Sequence, residues 1–116
     1  MSSNVYGVSF DARDAQVVAS FWAAALGRTV ADGASSDNAS VSADPAIAGS
    51  RIGFHRVPEG KTVKNRMHLD LITTDFDAEI ERLTGLGATK LNEIKNGGHW
   101  ATLAAPEGNE FDVIAG

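Results

Sequence analysis

The chain has 116 residues, 43% of them apolar and 22% charged, and a formal net charge of −5, which is typical of one globular domain. Its basic residues are scattered, so we expect no nucleic-acid partner, and the absence of cysteine excludes disulfides, thiolate zinc sites and a cysteine nucleophile. No apolar run is long enough to span a membrane and the first residues lack a secretory pattern, so we expect a cytoplasmic protein without a membrane partner.

The first half of the chain is predicted to run strand, helix, strand, strand. Alternating β-forming residues predict a strand over residues 5–10. Asp14 is a candidate N-cap for an amphipathic helix that ends at Gly27. The apolar residues of this helix recur at helical spacing: Val18, Phe21, Trp22, Ala25 and Leu26. After a polar loop, strands are predicted over residues 39–43 and 51–57.

The second half repeats this order. Its predicted segments are a strand over residues 67–73, a helix from Thr74 or Asp75 to Gly87, and strands over residues 100–104 and 110–115. Two tripeptides also recur: Ala25-Leu26-Gly27 matches Gly85-Leu86-Gly87, and Ala43-Asp44-Pro45 matches Ala104-Ala105-Pro106. In each unit the helix would cover one face of the sheet and leave the other face free. Two such free faces, brought together, would form a pocket for small molecules.

Three segments resemble the vicinal oxygen chelate superfamily, which includes glyoxalases, extradiol dioxygenases, fosfomycin-resistance enzymes and bleomycin-binding proteins. They are Phe21-Trp22-Ala23-Ala24-Ala25-Leu26-Gly27, Lys64-Asn65-Arg66-Met67-His68-Leu69-Asp70-Leu71 and Pro106-Glu107-Gly108-Asn109-Glu110-Phe111. The resemblance covers nearly the whole chain and is greatest to the small glyoxalase-like subgroup.

The resemblance implies an α+β fold in one domain over residues 1–116. Two tandem βαβββ modules, residues 4–57 and 65–116, are joined by a turn at 58–64. They would form a cupped mixed or antiparallel sheet with the helices on its outer face. A homodimer is also expected, because pairing with a second chain covers the open edges and face of such small sheets.

The superfamily's chemistry rests on a divalent metal that takes two adjacent oxygens of the substrate. The resemblance places His68 and Asp112 at ligand positions on the first and last strands of module two. Gly7 occupies the corresponding position of module one and offers no side chain. His55 would then complete a two-histidine, one-carboxylate set for Zn(II), Ni(II), Mn(II) or Fe(II), or serve as the catalytic base.

Further candidate site residues lie beside these in the sequence. Each candidate could instead have a purely structural role, without contact to metal or substrate. Trp100 shares its strand face with Thr102, so its indole could stack on a flat substrate. His99, after two glycines, is a candidate lid or substrate contact. In the alternative, His68 forms a hydrogen bond with Asp70 and binds no metal.

Two functions therefore remain open. The first is a metal-dependent lyase, isomerase or dioxygenase that acts on a small oxygen-rich substrate. The second is a metal-free protein that binds a small molecule, similar to the bleomycin-resistance members that sequester an antibiotic. The prevalence of metal enzymes in the superfamily favours the first function, and Gly7 favours the second.

Overall fold

The computed structural model describes residues 2–116. The chain forms two compact units that divide between Gly60 and Lys61. Each unit consists of a small mixed sheet and one helix, which confirms the predicted α+β fold. No helix among the described residues has the length and apolar character needed to cross a membrane.

The first unit has a three-stranded sheet. Its elements are β1 (Gly7–Ala12), α1 (Ala15–Leu26), β2 (Asn38–Val41) and β3 (Arg51–Arg56). The strand order is β1-β3-β2, and the central β3 is parallel to β1 and antiparallel to β2. Within residues 2–60, two strands follow the helix, whereas the βαβββ pattern implies three. In place of a third strand, Val30 forms an isolated β-bridge with Val41.

The helix α1 begins and ends as the sequence predicts. The Asp14 side chain accepts hydrogen bonds from the Gln16 and Val17 amides, and Gly27 closes the helix in the left-handed conformation. Its apolar stripe is buried except for the partly exposed Leu26, and the Trp22 ring stacks on Phe10 with centroids 6.2 Å apart. Aromatic packing between the helix and the sheet therefore forms the core of this unit.

The strand predicted over residues 5–10 lies two residues further along the chain. Pairing with β3 starts only at Gly7 opposite Arg51, and Val5 and Tyr6 are 70% and 79% exposed. A Cβ atom on Gly7 would lie 2.4 Å from the Arg51 carbonyl oxygen, a clash that the strand pairing does not allow. The glycine at the expected ligand position therefore has a structural role.

The second unit has the complete βαβββ order. Its elements are β4 (Asp70–Thr73), α2 (Phe76–Gly85), β5 (Thr89–Ile94), β6 (Trp100–Ala104) and β7 (Glu110–Ala115). The strand order is β4-β7-β6-β5, with β4 parallel to β7 and the other pairs antiparallel. The Asp75 side chain caps α2 by accepting a hydrogen bond from the Ala78 amide, as predicted.

Three details of the second unit differ from the predictions. The strand predicted from residue 67 begins at Asp70, and Met67 is 70% exposed because it precedes the pairing with β7. Strand β5 was not predicted because it is an edge strand whose Leu91 is 53% exposed, so it shows no alternation of buried and exposed residues. The helix α2 ends before the predicted Gly87, since Leu86 is already its C-cap.

The two faces of the second sheet differ in character. One face is buried against α2 and contains fully buried residues: Ala101, Leu103, Phe111 and Val113. The strand registers place two rows of residues on the other face. One row is Asp70, Asp112 and Thr102, and the next is Ile72, Ile114 and Trp100. A polar row and an apolar row therefore lie side by side, about 7 Å apart along the strands.

Candidate functional site

Three ligand-type side chains of the second unit converge on the polar row. The Nδ1 atom of His68 lies 3.0 Å from Asp70 Oδ1 and 3.9 Å from Asp112 Oδ2. One ligand atom from each residue lies within 4.8 Å of the others. Asp70 and Asp112 are direct neighbours in the parallel pair of β4 and β7, and His68 precedes Asp70 by two residues. The strand pairing therefore builds the cluster.

Thr102 fixes the orientation of the Asp112 carboxylate. Its hydroxyl donates a hydrogen bond of 2.6 Å to Asp112 Oδ1, while Oδ2 is the oxygen nearer to His68. The Asp112 side chain is 21% exposed, whereas His68 and Asp70 are 42% and 54% exposed. Such a partner behind a carboxylate is common at metal sites because it holds the ligand in one orientation.

Glu110 holds the segment that leads to His68. Its carboxylate accepts a hydrogen bond of 3.1 Å from the Asn65 amide and forms an ion pair of 3.1 Å with Lys61. The Asn65 hydrogen bond, together with Lys61, holds the pKa of Glu110 below its usual value. The chain from Lys61 to Asn65 is thereby fixed next to the start of β7.

The apolar row borders the acidic cluster directly. Trp100 pairs with Ile114 across β6 and β7, and Ile114 pairs with Ile72 across β7 and β4. The Trp100 and Ile114 side chains are partly exposed, and Ile72 is 76% exposed. The predicted position of Trp100 on the face of Thr102 agrees with this register. This surface can contact the apolar part of a molecule whose polar end reaches Asp112.

His99 is held by contacts of its own. Its Nε2 lies 2.9 Å from Glu93 Oε2, and its ring packs on Phe76 with centroids 3.9 Å apart. Phe76 is the first residue of α2, so His99 contacts the helix side of the sheet, whereas Trp100 lies on the opposite face. A contact of His99 with substrate stays a prediction.

His55 belongs to the first unit and is exposed on β3. It alternates with the buried Ile52 and Phe54, so it lies on the sheet face away from α1, as predicted. Its roles as a metal ligand and as a catalytic base stay predictions.

Asp70 is the member of the cluster that sequence reasoning did not select. It enters the sequence-based prediction only as a hydrogen-bond partner of His68 in the metal-free alternative. Its position opposite Asp112 depends on the parallel pairing of β4 and β7, which the sequence does not reveal. Pairing the first strand of the module with its last strand would have placed Asp70 opposite Asp112.

The donor atoms fit a divalent metal. One imidazole nitrogen and two carboxylate oxygens suit Mn(II) and Fe(II) in particular, and Zn(II) and Ni(II) as well. Three protein ligands also leave coordination positions for a substrate. Without a metal, the same geometry supports a histidine that forms ion pairs with two carboxylates.

Comparisons with known proteins agree with this architecture. The family model of the Glyoxalase-like domain matches residues 7–114. A comparison with curated proteins found no match. A glyoxalase/bleomycin resistance protein/dioxygenase family enzyme from Burkholderia phytofirmans is similar in structure, with a TM-score of 0.74 and 20% identity over 96% of this chain and 97% of that one.

Two further solved structures share the fold. The fosfomycin resistance protein FosX from Listeria monocytogenes, solved with Mn(II) and 1S,2S-dihydroxypropylphosphonic acid, has a TM-score of 0.77 and 16% identity, covering 100% of this chain and 92% of that one. The oxidase ChaP-H2 has a TM-score of 0.70 and 20% identity, covering 100% and 95%. By its family model, the chain belongs to the glyoxalase-like domain family, and its fold agrees with the predicted resemblance to the vicinal oxygen chelate superfamily.

Proposed function

We propose that the protein is a divalent-metal-dependent enzyme of the lyase, isomerase or dioxygenase type, with His68, Asp70 and Asp112 as metal ligands. The observation that carries this proposal is the convergence of these three ligand atoms within 4.8 Å. The solved FosX structure contains Mn(II) within the same fold, which supports the assignment to this class.

The metal would act as a Lewis acid on the adjacent oxygens of a small oxygen-rich substrate. The protein's own residues supply orientation. Thr102 holds Asp112 through its hydrogen bond, and Trp100 with Ile114 offers a flat apolar surface for the carbon skeleton of the substrate. The predicted roles of His55, as a further metal ligand or as the base, and of His99, as a substrate contact, are tested by their own variants.

A metal-free small-molecule-binding protein is the second candidate function. Gly7 favours it, because no side chain can be added there without meeting the Arg51 carbonyl oxygen. In this case Trp100 would hold a planar ligand by stacking, and His68 would remain in its 3.0 Å ion-pair contact with Asp70. Ligand affinity would then survive treatment with EDTA.

Calorimetric titration of EDTA-treated protein with Mn(II), Fe(II), Zn(II) and Ni(II) tests the first function. We expect one ion per chain for at least one metal, and loss of this binding in Asp112→Asn and in Asp70→Asn. Asp32→Asn changes an exposed loop carboxylate of the first unit and is the matched control. His55→Ala tests the predicted set, because it weakens binding only if His55 is a ligand. The absence of stoichiometric binding for all four ions would reject the enzyme proposal.

The proposal includes a homodimer. Several large apolar side chains are exposed in the described chain, among them Tyr6 at 79%, Val63 at 75% and Met67 at 70%. A second copy that covers such residues would remove apolar surface from water. Size-exclusion chromatography with light scattering at micromolar concentration should give twice the chain mass of 12.1 kDa. A mass of one chain would contradict the dimer.

A further inference from the structure

The first unit has its own group of polar side chains, on the face of its sheet that α1 does not cover. The register of β1, β3 and β2 places Ser9, Gly53 and Ser40 in one row across this face. Gly53 is in the central strand and, although it has no side chain, it is buried. Neighbouring side chains therefore cover the gap above it.

Three hydrogen-bonding groups lie around this gap. A Cβ atom built on Gly53 would lie 3.0 Å from Arg51 Nη1, 3.2 Å from Ser9 Oγ and 3.6 Å from His55 Nε2. A guanidinium, a hydroxyl and an imidazole can each donate a hydrogen bond to the same oxyanion. We call Ser9, Arg51 and His55 above Gly53 the Gly53 cradle.

The charge of Arg51 has no carboxylate partner among the described residues. Its guanidinium lies over the Tyr6 ring, 5.6 Å from the centroid, and no ion pair or hydrogen bond of this group occurs within residues 2–116. Arg56, in the same strand, pairs instead with Asp37 at 3.4 Å. Arg51 is also only partly exposed, so an anion there would meet a partly desolvated cation.

Among strands β1, β2 and β3, the one carboxylate on this face is Asp11. It pairs in register with His55, and the strand geometry places it one row, about 7 Å, beyond Ser9 and Gly53. Asp11 forms no ion pair with His55 or Arg51 within the described residues. It is exposed, and the high dielectric constant of water weakens its repulsion of an anion in the cradle.

We propose that the Gly53 cradle binds a small oxyanion, a phosphoryl or carboxylate group of a ligand, through Arg51, Ser9 and His55. The positive guanidinium next to His55 disfavours a cation at this position, so the cradle differs in chemistry from the acidic cluster of the second unit. The proposal does not depend on a bound metal. It is independent of the assignment of His68, Asp70 and Asp112 as metal ligands, and it replaces the predicted metal role of His55 with a role in oxyanion binding.

The test uses EDTA-treated full-length protein and amide NMR spectra, with inorganic phosphate, acetate and chloride as separate titrants. We expect saturable shifts at Ser9, Gly53 and His55 with phosphate or acetate, and none with equal chloride. Comparison of phosphate with acetate identifies the preferred oxyanion.

Two variants and one control complete the test. Arg51→Gln should weaken oxyanion binding at least about tenfold, because a charge-assisted hydrogen bond is lost. Arg56→Gln, the control in the same strand, should leave it unchanged. Gly53→Ala fills the gap and should also weaken binding, and thermal unfolding shows whether that variant folds. The proposal is overturned if the wild type shows no saturable shifts with either oxyanion, or if Arg51→Gln binds as the wild type does.

Discussion

Replacement of Thr102 by valine tests whether Asp112 is a metal ligand or only a hydrogen-bonded carboxylate. Valine has nearly the same shape, but it lacks the hydroxyl that donates the 2.6 Å hydrogen bond to Asp112 Oδ1. Loss of such a partner typically lowers metal affinity tenfold to hundredfold, or about 1.4–2.7 kcal/mol. The folded apo protein should lose only about 1 kcal/mol, because Asp112 is partly exposed and water can replace the hydroxyl.

The assay is calorimetric titration of Thr102→Val with the metal that the wild type binds best. Thr89→Val is the control, since Thr89 is exposed on the edge strand β5. We expect weaker metal binding with an unchanged stoichiometry in Thr102→Val and wild-type affinity in Thr89→Val. Equal metal affinity in Thr102→Val and the wild type would refute the assignment of Asp112 as a ligand held by Thr102.

Two further predictions concern the stability of the second unit. Hydrogen bonds from Lys90 and then from His99 hold the pKa of Glu93 at about 2, below its usual value of 4.5. These contacts therefore stabilise the folded protein fully above pH 4.5, and this stabilisation is lost as the pH falls towards 2. NMR titration of the Glu93 carboxyl should show this, and a midpoint near 4.5 would contradict it. Leu103→Ala should lower the free energy of unfolding by about 2–5 kcal/mol because Leu103 is fully buried. Leu91→Ala, at a 53% exposed position, should cost less than about 1 kcal/mol in urea unfolding, and equal costs would contradict the assignment of the core.

The sequence predicted those helices and strands in which the pattern of apolar residues agrees with the capping or turn residues at the ends. Strands β6 and β7 have the predicted bounds, and α1 has both the Asp14 cap and the Gly27 end. Strand β5 was missed because an exposed edge strand needs no apolar alternation. Strand β5 is defined by its backbone hydrogen bonds with β6, and such bonds require no particular residue types.

The candidate site was predicted only in part, for a related reason. His68 and Asp112 were selected on the family pattern and on strand parity, and they lie next to one another. Asp70 joins them because of the register between β4 and β7, which links residues far apart in sequence. The surroundings of His55 depend in the same way on Gly53, whose missing side chain leaves room for Arg51 and Ser9. Contacts that arise from strand register require the folded structure.

Anomalous diffraction from crystals soaked in Mn(II) tests the central claim most directly. The account predicts a manganese peak bonded to one atom each of His68, Asp70 and Asp112, at about 2.0–2.3 Å from each ligand atom. A data set with no peak at these residues, while His68 Nδ1 keeps its 3.0 Å contact with Asp70, would contradict it.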